Sequence, residues 1–536
     1  MTHTPSRLPR RNFLISSGAA LASAGLAPAT FFPSTASTNE NASARMTVSV
    51  DQSSPGAEIA REIYGQFIEH AGNVIYDGIW VGEGNSIPNI RGIRKDVVDA
   101  LKPLEVPLLR WPGGCFADQY SWRDGIGPRD KRPKRHVAFY DQLETNEFGT
   151  HEYLDFAELI GAKPYISINM GSSTASDQFQ WLQYINDKDN STLALERQKN
   201  GRATPWNVNY VGLGNEIWGC GGNMRPETAA DETRRYGFYL DSEVVRYSPQ
   251  KLYKIASGPS WNFPGYKEFT EAMMKESANI FGQTPFQALS LHFYMWQKSS
   301  RSKSDDELLP AVGFDESEWT GLLKTVLTVN DAIVTVSSIM DKYDPQKKIA
   351  LAFDEWDASM NGPQVTLLKA EIAALVLNMF HRHTDRLRIA STTFMINIGN
   401  ALVQTKGPQM VTTPSYHLFS LYKPFKGAKP YPVKIVGNQY ILASLPVLDA
   451  SAAKARDGRL YLSLVNLDPV REIVVVTDLT GTPEGQVLTG PALDAFNEFG
   501  QPPKVAPARF QNFTVSRGKI ALRMPSKSIV VFSVPG

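Results

Sequence analysis

Short apolar runs that end in polar, glycine-rich loops recur along this chain, and stretches of helical spacing lie between them. Residues 63–68 form the first run and empty into Glu69-His70; residues 106–109 lead into Arg110-Trp-Pro-Gly-Gly-Cys115. Residues 164–168 end at Asn169, 210–213 at Gly214-Asn215-Glu216, 252–256 at Ser257, and 288–291 at His292-Phe-Tyr294. Residues 349–353 run into Asp354-Glu355-Trp356, and 391–396 into Asn397. Apolar runs of this length, bounded by turn residues, predict strands. Helices are expected at 96–101, 151–161, 177–186, 225–247, 263–281, 318–343 and 364–383, with Pro226 early in its first turn, where a missing N–H costs little. Eight strands alternating with helices predict an α/β fold, a (β/α)8 TIM barrel over 59–412.

Beyond about Tyr416 the period changes to two. Leu460, Leu462 and Leu464 alternate with polar neighbours, as do Ile520, Leu522 and Met524, and 473–476 and 529–534 are β-branched runs. Asp457-Gly458, Gly481, Gly490 and Pro525 punctuate them, so 413–536 reads as an all-β, jelly-roll-like sandwich. The run 47–50 has no place in a complete barrel, and the segment 46–58 is expected to donate a strand to the sandwich. That domain is expected to be structural support, since no cluster of exposed aromatics stands out.

Composition narrows the class. The 536 residues are 42% apolar with mean hydropathy −0.25, enough for more than one hydrophobic core. Fifty-five basic against 54 acidic residues leave a net charge of +1, which argues against nucleic acid and for a neutral substrate. Gly212-x-Gly214 lacks a third glycine at nucleotide-loop spacing and is followed by a carboxylate that would repel phosphate. No metal or cofactor is expected. At the N-terminus, Arg10-Arg11-Asn-Phe-Leu-Ile15 precedes a small-residue stretch, the pattern of a twin-arginine signal. Residues 1–45 are therefore set aside as signal and linker, with cleavage between about Ala29 and Ala44. A periplasmic or secreted protein without a membrane anchor is the expectation. The two cysteines, Cys115 and Cys220, both follow strands and are either free thiols or, if their loops meet, a disulfide.

Strand ends of a barrel share one face, so Glu69, Arg110, Asn169, Glu216, His292, Tyr294 and Glu355 should converge there, with Asn215 and Trp218 beside Glu216. Two carboxylates on one face point to glycoside hydrolysis. A retaining glycosidase needs them only ~5 Å apart, one attacking the anomeric carbon and the other protonating the leaving oxygen. Glu355 would be held ionised by Arg110 and the Tyr294 hydroxyl, while the first carboxylate and walls such as Trp218 would keep Glu216 protonated as general acid. Each residue has a plainer alternative: Arg110 paired with Asp118, His292 a core histidine, Tyr294 packing.

The stretches Arg110 to Arg129, Glu144 to Tyr153, Gly214 to Met224 and Phe353-Asp-Glu-Trp356 resemble the α-L-arabinofuranosidases of glycoside hydrolase family 51. The resemblance implies Glu216 as acid/base and Glu355 as nucleophile, Glu69 binding sugar hydroxyls, Asn215 at the 2-hydroxyl, Tyr294 steering the nucleophile and Cys115 lining the furanose pocket. It also implies release of terminal arabinofuranosyl units from arabinan or arabinoxylan, and a homo-oligomer, often a hexamer. The chain departs from the family in two places. Asp357-Ala-Ser-Met360 replaces a second aromatic pair after the nucleophile, and Thr412 stands where a Gln or Arg that reaches the pocket is common. The expectation is thus a retaining, exo-acting α-L-arabinofuranosidase. The alternatives are the same machinery on another furanoside, a xyloside or a β-glucan, or a non-catalytic carbohydrate-binding protein.

Overall fold

The computed structural model describes residues 44–140, 142–241, 251–278, 282–301, 307–437, 440–441 and 445–536. The arginine pair and part of the polar loop 297–308 lie outside these residues, as do 242–247 and 279–281; the helices expected to reach 247 and 281 end earlier, at Tyr239 and Glu276.

Eight parallel strands close into a barrel: β1 (Gly65–Phe67), β2 (Leu108–Trp111), β3 (Lys163–Ile168), β4 (Tyr210–Leu213), β5 (Tyr253–Ala256), β6 (Ala288–Trp296), β7 (Ala350–Ser359) and β8 (Leu387–Thr392). Leu108, Tyr165, Ile255, Ala288, Ala350, Ala352 and Ile389 pack together as the filling of the barrel, so its interior is a core and not a channel. The helices cover the outside with buried stripes such as Tyr153, Leu154, Ala157 and Ile160 of Thr150–Ile160.

Further expectations need correcting: β6 and β7 run past the apolar stretches 288–291 and 349–353, to Trp296 and Ser359. The eighth strand is Leu387–Thr392 and not 391–396: Arg388 interrupts its apolar run, which disguises it, while the chain turns out of the sheet at Thr393. The helix expected over 318–343 is two, Glu316–Leu327 and Val329–Tyr343, joined at Thr328, whose hydroxyl donates to Thr325 O at 2.7 Å. A hairpin the pattern did not predict, Val403–Lys406 with Gln409–Thr412, follows β8.

The sandwich has a five-stranded and a six-stranded sheet. The N-terminal strand Ala44–Val50 lies inside the first, antiparallel to Val433–Val436 and parallel to Ile473–Thr477, with Met46, Val48 and Val50 buried. Helix Leu367–Arg382 joins the two domains. It is buried along nearly its whole length; Asn378 Nδ2 donates to Asp449 at 2.8 Å, and His381 lies 2.7 Å from the Tyr64 hydroxyl and 2.8 Å from Ser451 Oγ.

Candidate active site

The first carboxylate of the pair sits where β4 ends. Gly214 and Glu216 both take positive φ, 73° and 42°, and the second is a conformation that L side chains rarely adopt. The turn is over-determined from below. Asp118 accepts the backbone N–H groups of Asn215 (2.6 Å), Met170 (2.7 Å) and Gly171 (2.8 Å), tying the loops after β2, β3 and β4 together. Burial pushes the Asp118 carboxyl up to about 7 against these three donors. A disulfide between Cys115 and Cys220 clasps the same loops, so the paired alternative holds, and the Cys220 sulfur lies 3.8 Å from Glu216 Oε2.

The second carboxylate sits on β7. Strict alternation would send Asp354 and Glu355 to opposite faces. The register of β7 slips against both neighbours here, opposite Ser290 to His292 of β6 and between its own Phe353 and Trp356 against β8, and both acids reach the same cluster. Arg110 Nη1 donates to Glu355 Oε2 at 2.8 Å, the Tyr294 hydroxyl donates to Glu355 Oε1, and Arg110 Nη2 donates to Asn215 Oδ1 at 2.5 Å. The guanidinium lies over the Phe67 ring at 4.7 Å. Burial would lower the Arg110 pKa, but Asp354 and Glu355 outweigh it and hold the group charged. One oxygen each of Glu216 and Glu355 lie within 4.8 Å of one another, the spacing that retaining chemistry requires.

His292 bridges the pair. Its Nδ1 is 3.0 Å from Glu216 Oε1 and 3.6 Å from Glu355 Oε2, and its Nε2 is 3.3 Å from Asp354 Oδ1. Burial pulls its pKa down, but Glu355, Asp354 and Glu216 together push it up to about 10, so it stands as an imidazolium. Asp354 accepts the Tyr165 hydroxyl at 2.6 Å and, despite burial, is held below the usual carboxylate range by Arg110 and His292. Four carboxyls thus face two cations. Burial and then the Glu355 charge push Glu69 up to about 7, where a proton relieves the surplus. Glu69 Oε1 accepts Phe116 N–H at 2.9 Å, and a Cβ at Gly113 would come within 2.5 Å of its side chain.

Nine of the ten expected site residues gather in or against this cluster, Cys115 with its sulfur within 4.8 Å of a Glu216 carboxylate oxygen. Asn215 Nδ2 is buried with no partner among the described residues, a donor left over for a ligand. Trp218 forms a wall beside Glu216, stacked on Phe263 at 4.8 Å with its indole N–H donated to Gly258 O. Cys115 is present as half of the disulfide. Asn169 is not free to bind: its amide donates to Tyr120 O (3.1 Å) and Ser172 Oγ (2.9 Å) and its Oδ1 accepts Ser172 N–H (2.9 Å), so it shapes a loop. Nor does Arg110 pair with Asp118, the plainer alternative. Thr412 lies on the hairpin with its carbonyl accepting Asn497 Nδ2 at 3.0 Å. Two residues escaped the sequence reading. Asp354 was hidden by strand alternation, and Tyr140, whose hydroxyl donates to Glu69, sits in a loop with no motif to mark it.

Residues 100–301 match the family described as "Alpha-L-arabinofuranosidase 1 domain" and 354–528 the "Alpha-L-arabinofuranosidase C-terminal domain". The chain is 39% identical to a Bacteroides ovatus protein described as an intracellular exo-alpha-L-arabinofuranosidase, over 94% of this chain and 98% of that one. Its structure resembles a GH51 arabinofuranosidase from Xanthomonas axonopodis pv. citri, with TM-score 0.85 and 40% identity over 91% of this chain and 99% of the other. An α-L-arabinofuranosidase from Thermotoga maritima in complex with arabinose matches with TM-score 0.77 and 28% identity over 91% and 99%. The Bacteroides relative also corrects the export expectation. It is described as intracellular, which stands against the expectation of a protein sent out by the twin-arginine route. An arginine pair ahead of an alanine-rich stretch is equally the composition of an ordinary basic tail.

Proposed function

The chain belongs to the α-L-arabinofuranosidases of glycoside hydrolase family 51, and from that premise we propose that Glu355 is the nucleophile and Glu216 the acid/base of an exo-acting enzyme. Its substrates are terminal α-L-arabinofuranosyl units of arabinan- or arabinoxylan-type chains. The observation that carries the reading is the approach of the two carboxylates to within 4.8 Å across the barrel mouth. Glu355, steadied by Arg110 and Tyr294, attacks the anomeric carbon; Glu216 gives its proton to the departing oxygen on the Trp218 side. Asn215 Nδ2 meets a ring hydroxyl, and Glu69, protonated below about pH 7, donates to another. Esterification removes the charge on Glu355. The His292 imidazolium then faces a single catalytic carboxylate and favours its ionised form, which is what Glu216 needs to act as base toward water. His292 and Asp354 are in this reading positioning residues that do not touch the sugar. A hexamer is part of the same reading and is tested by analytical ultracentrifugation.

Hydrolysis of nitrophenyl α-L-arabinofuranoside by the purified chain tests the assignment. Glu355→Ala should lose at least a thousandfold in kcat and regain turnover with azide as an inverted glycosyl azide. An active Glu355→Ala variant without azide, or wild-type protein that binds sugar and hydrolyses no aryl glycoside, overturns it.

A further inference from the structure

The departure from the family after the nucleophile coincides with a cavity. Asp357, Ser359 and Met360, from the stretch where relatives carry a second aromatic pair, line a space of about 690 Å³ with Tyr294, Lys369 and Phe394. Glu216, Glu355, Glu69, Arg110 and Asn215 do not line it, so it is not the reaction centre. Tyr294 is the shared wall, since its hydroxyl donates to Glu355.

Position in the barrel decides what the cavity faces. It is built from the ends of β6, β7 and β8 and from Asn73 in the loop after β1, closed by Phe499 of the sandwich. Glu216 stands at the end of β4, so the leaving group departs on that side of the mouth. Strand β4 lies across the barrel from β8. The cavity therefore opens behind Glu355, toward the glycone.

Its lining suits a sugar. Asp357 is buried, with Oδ1 unpartnered among the described residues; Lys369 Nζ donates to Gly399 O at 2.7 Å and lies 3.7 Å from Asp357 Oδ2. An acceptor and a cationic donor side by side match the neighbouring hydroxyls of a furanose, and Phe394, Met360 and Ile398 offer apolar surface to its C–H face. Gly399 keeps this floor in place: φ is 67°, and a Cβ there would meet Thr393 O at 2.3 Å. The volume falls in the ~300–1,000 Å³ range of ligand sites.

We propose that this cavity is a second glycone subsite, which takes a pentofuranosyl residue attached to the arabinofuranosyl unit at the reaction centre, so that the enzyme releases a disaccharide as well as the monosaccharide. The proposal rests on Glu355 and Glu216 carrying the hydrolysis, and the chemistry is the same. The bond from the anomeric carbon to the leaving oxygen breaks as Glu355 forms the ester and the Glu216 proton goes to the leaving oxygen; water then gives a proton back to Glu216, its oxygen bonds to the anomeric carbon, and the ester bond to Glu355 breaks to free the disaccharide.

The test compares nitrophenyl α-L-arabinofuranoside with nitrophenyl α-1,5-L-arabinobioside, with products resolved by chromatography and mass spectrometry at early times. Nitrophenol should appear from the bioside without a lag and together with intact arabinobiose. Ser359→Trp, which fills the cavity, should lower kcat/KM on the bioside at least tenfold relative to the monoglycoside. Asp357→Asn, nearly unchanged in shape, should lower the same ratio about threefold or more. Free arabinose preceding nitrophenol, or a ratio unmoved in both variants, overturns the subsite while leaving the catalytic pair standing. No turnover of either glycoside by the wild type overturns both.

Discussion

Replacing Glu69 by glutamine should change how the stability of this protein depends on pH. Burial beside Glu355 moves the Glu69 carboxyl from its ordinary 4.5 to about 7. At roughly 1.4 kcal/mol per pH unit, that displacement corresponds to about 3 kcal/mol between the protonated and ionised forms of the folded enzyme. A carboxyl whose pKa rises on folding holds its proton more tightly in the native state than in the unfolded chain. Its contribution is therefore full below pH 4.5, declines as pH climbs toward about 7, and is level above that. Glutamine has no proton to lose, so Glu69→Gln should gain on the wild type by about 3 kcal/mol over that window. Urea unfolding at half-unit pH intervals from 4 to 9 measures the difference directly, and other titrating groups, Asp118 among them, cancel between the two proteins. A wild-type-minus-variant difference that stays flat across the window would refute the account of four carboxyls sharing two cations.

Three further outcomes follow from the same geometry. Tyr294→Phe removes one donor to the charged Glu355, worth ~1.5–3 kcal/mol, and should cut kcat on nitrophenyl arabinofuranoside roughly 10- to 150-fold; a change under threefold would mean that the hydroxyl does not act on the nucleophile. His292 should still be doubly protonated at pH 8 in ¹⁵N-resolved spectra, and its share of stability, full below 6.5, should fade as pH rises toward about 10; a neutral ring at pH 8 contradicts the bridge to Glu216. Reducing the Cys115–Cys220 bond, which spans 105 residues, should lower unfolding free energy by up to about 4.7 kcal/mol and slow turnover as the β2 and β4 loops part, whereas identical urea curves with and without reductant would show that those loops are held by Asp118 alone.

Most of the barrel was readable from the chain because each strand is a short apolar run that ends in a polar residue. The run 210–213 matches β4 to the residue, so Glu216 could be named from where that strand stops, and Glu355 from where the apolar run 349–353 ends, although β7 itself continues to Ser359. Misreadings occur where tertiary context overrides the local pattern. Arg388 masks β8, and an apolar sequence beyond it imitates a strand. Asp354 reaches the reaction centre only because β7 slips in register, and no periodicity foretells a bulge. Asn169 has the right residue type at the right strand end, yet Ser172 and Tyr120 occupy all of its polar atoms, a competition visible only once loops are folded. Tyr140 comes from the loop between two short paired strands outside the barrel, Arg135–His136 and Leu143–Glu144, and would look like packing in any sequence.

The strand Ala44–Val50 has a consequence for anyone who would take this molecule apart. Its two neighbours in the sheet arrive about 390 and 430 residues later, so the opening segment emerges from synthesis without them and must wait for nearly the whole polypeptide. A single cut after the barrel would strip that strand of both partners and expose Met46, Val48 and Val50, while the severed sandwich would have a gap in the middle of one sheet. Grafting either module onto another scaffold therefore demands two junctions, one at each terminus.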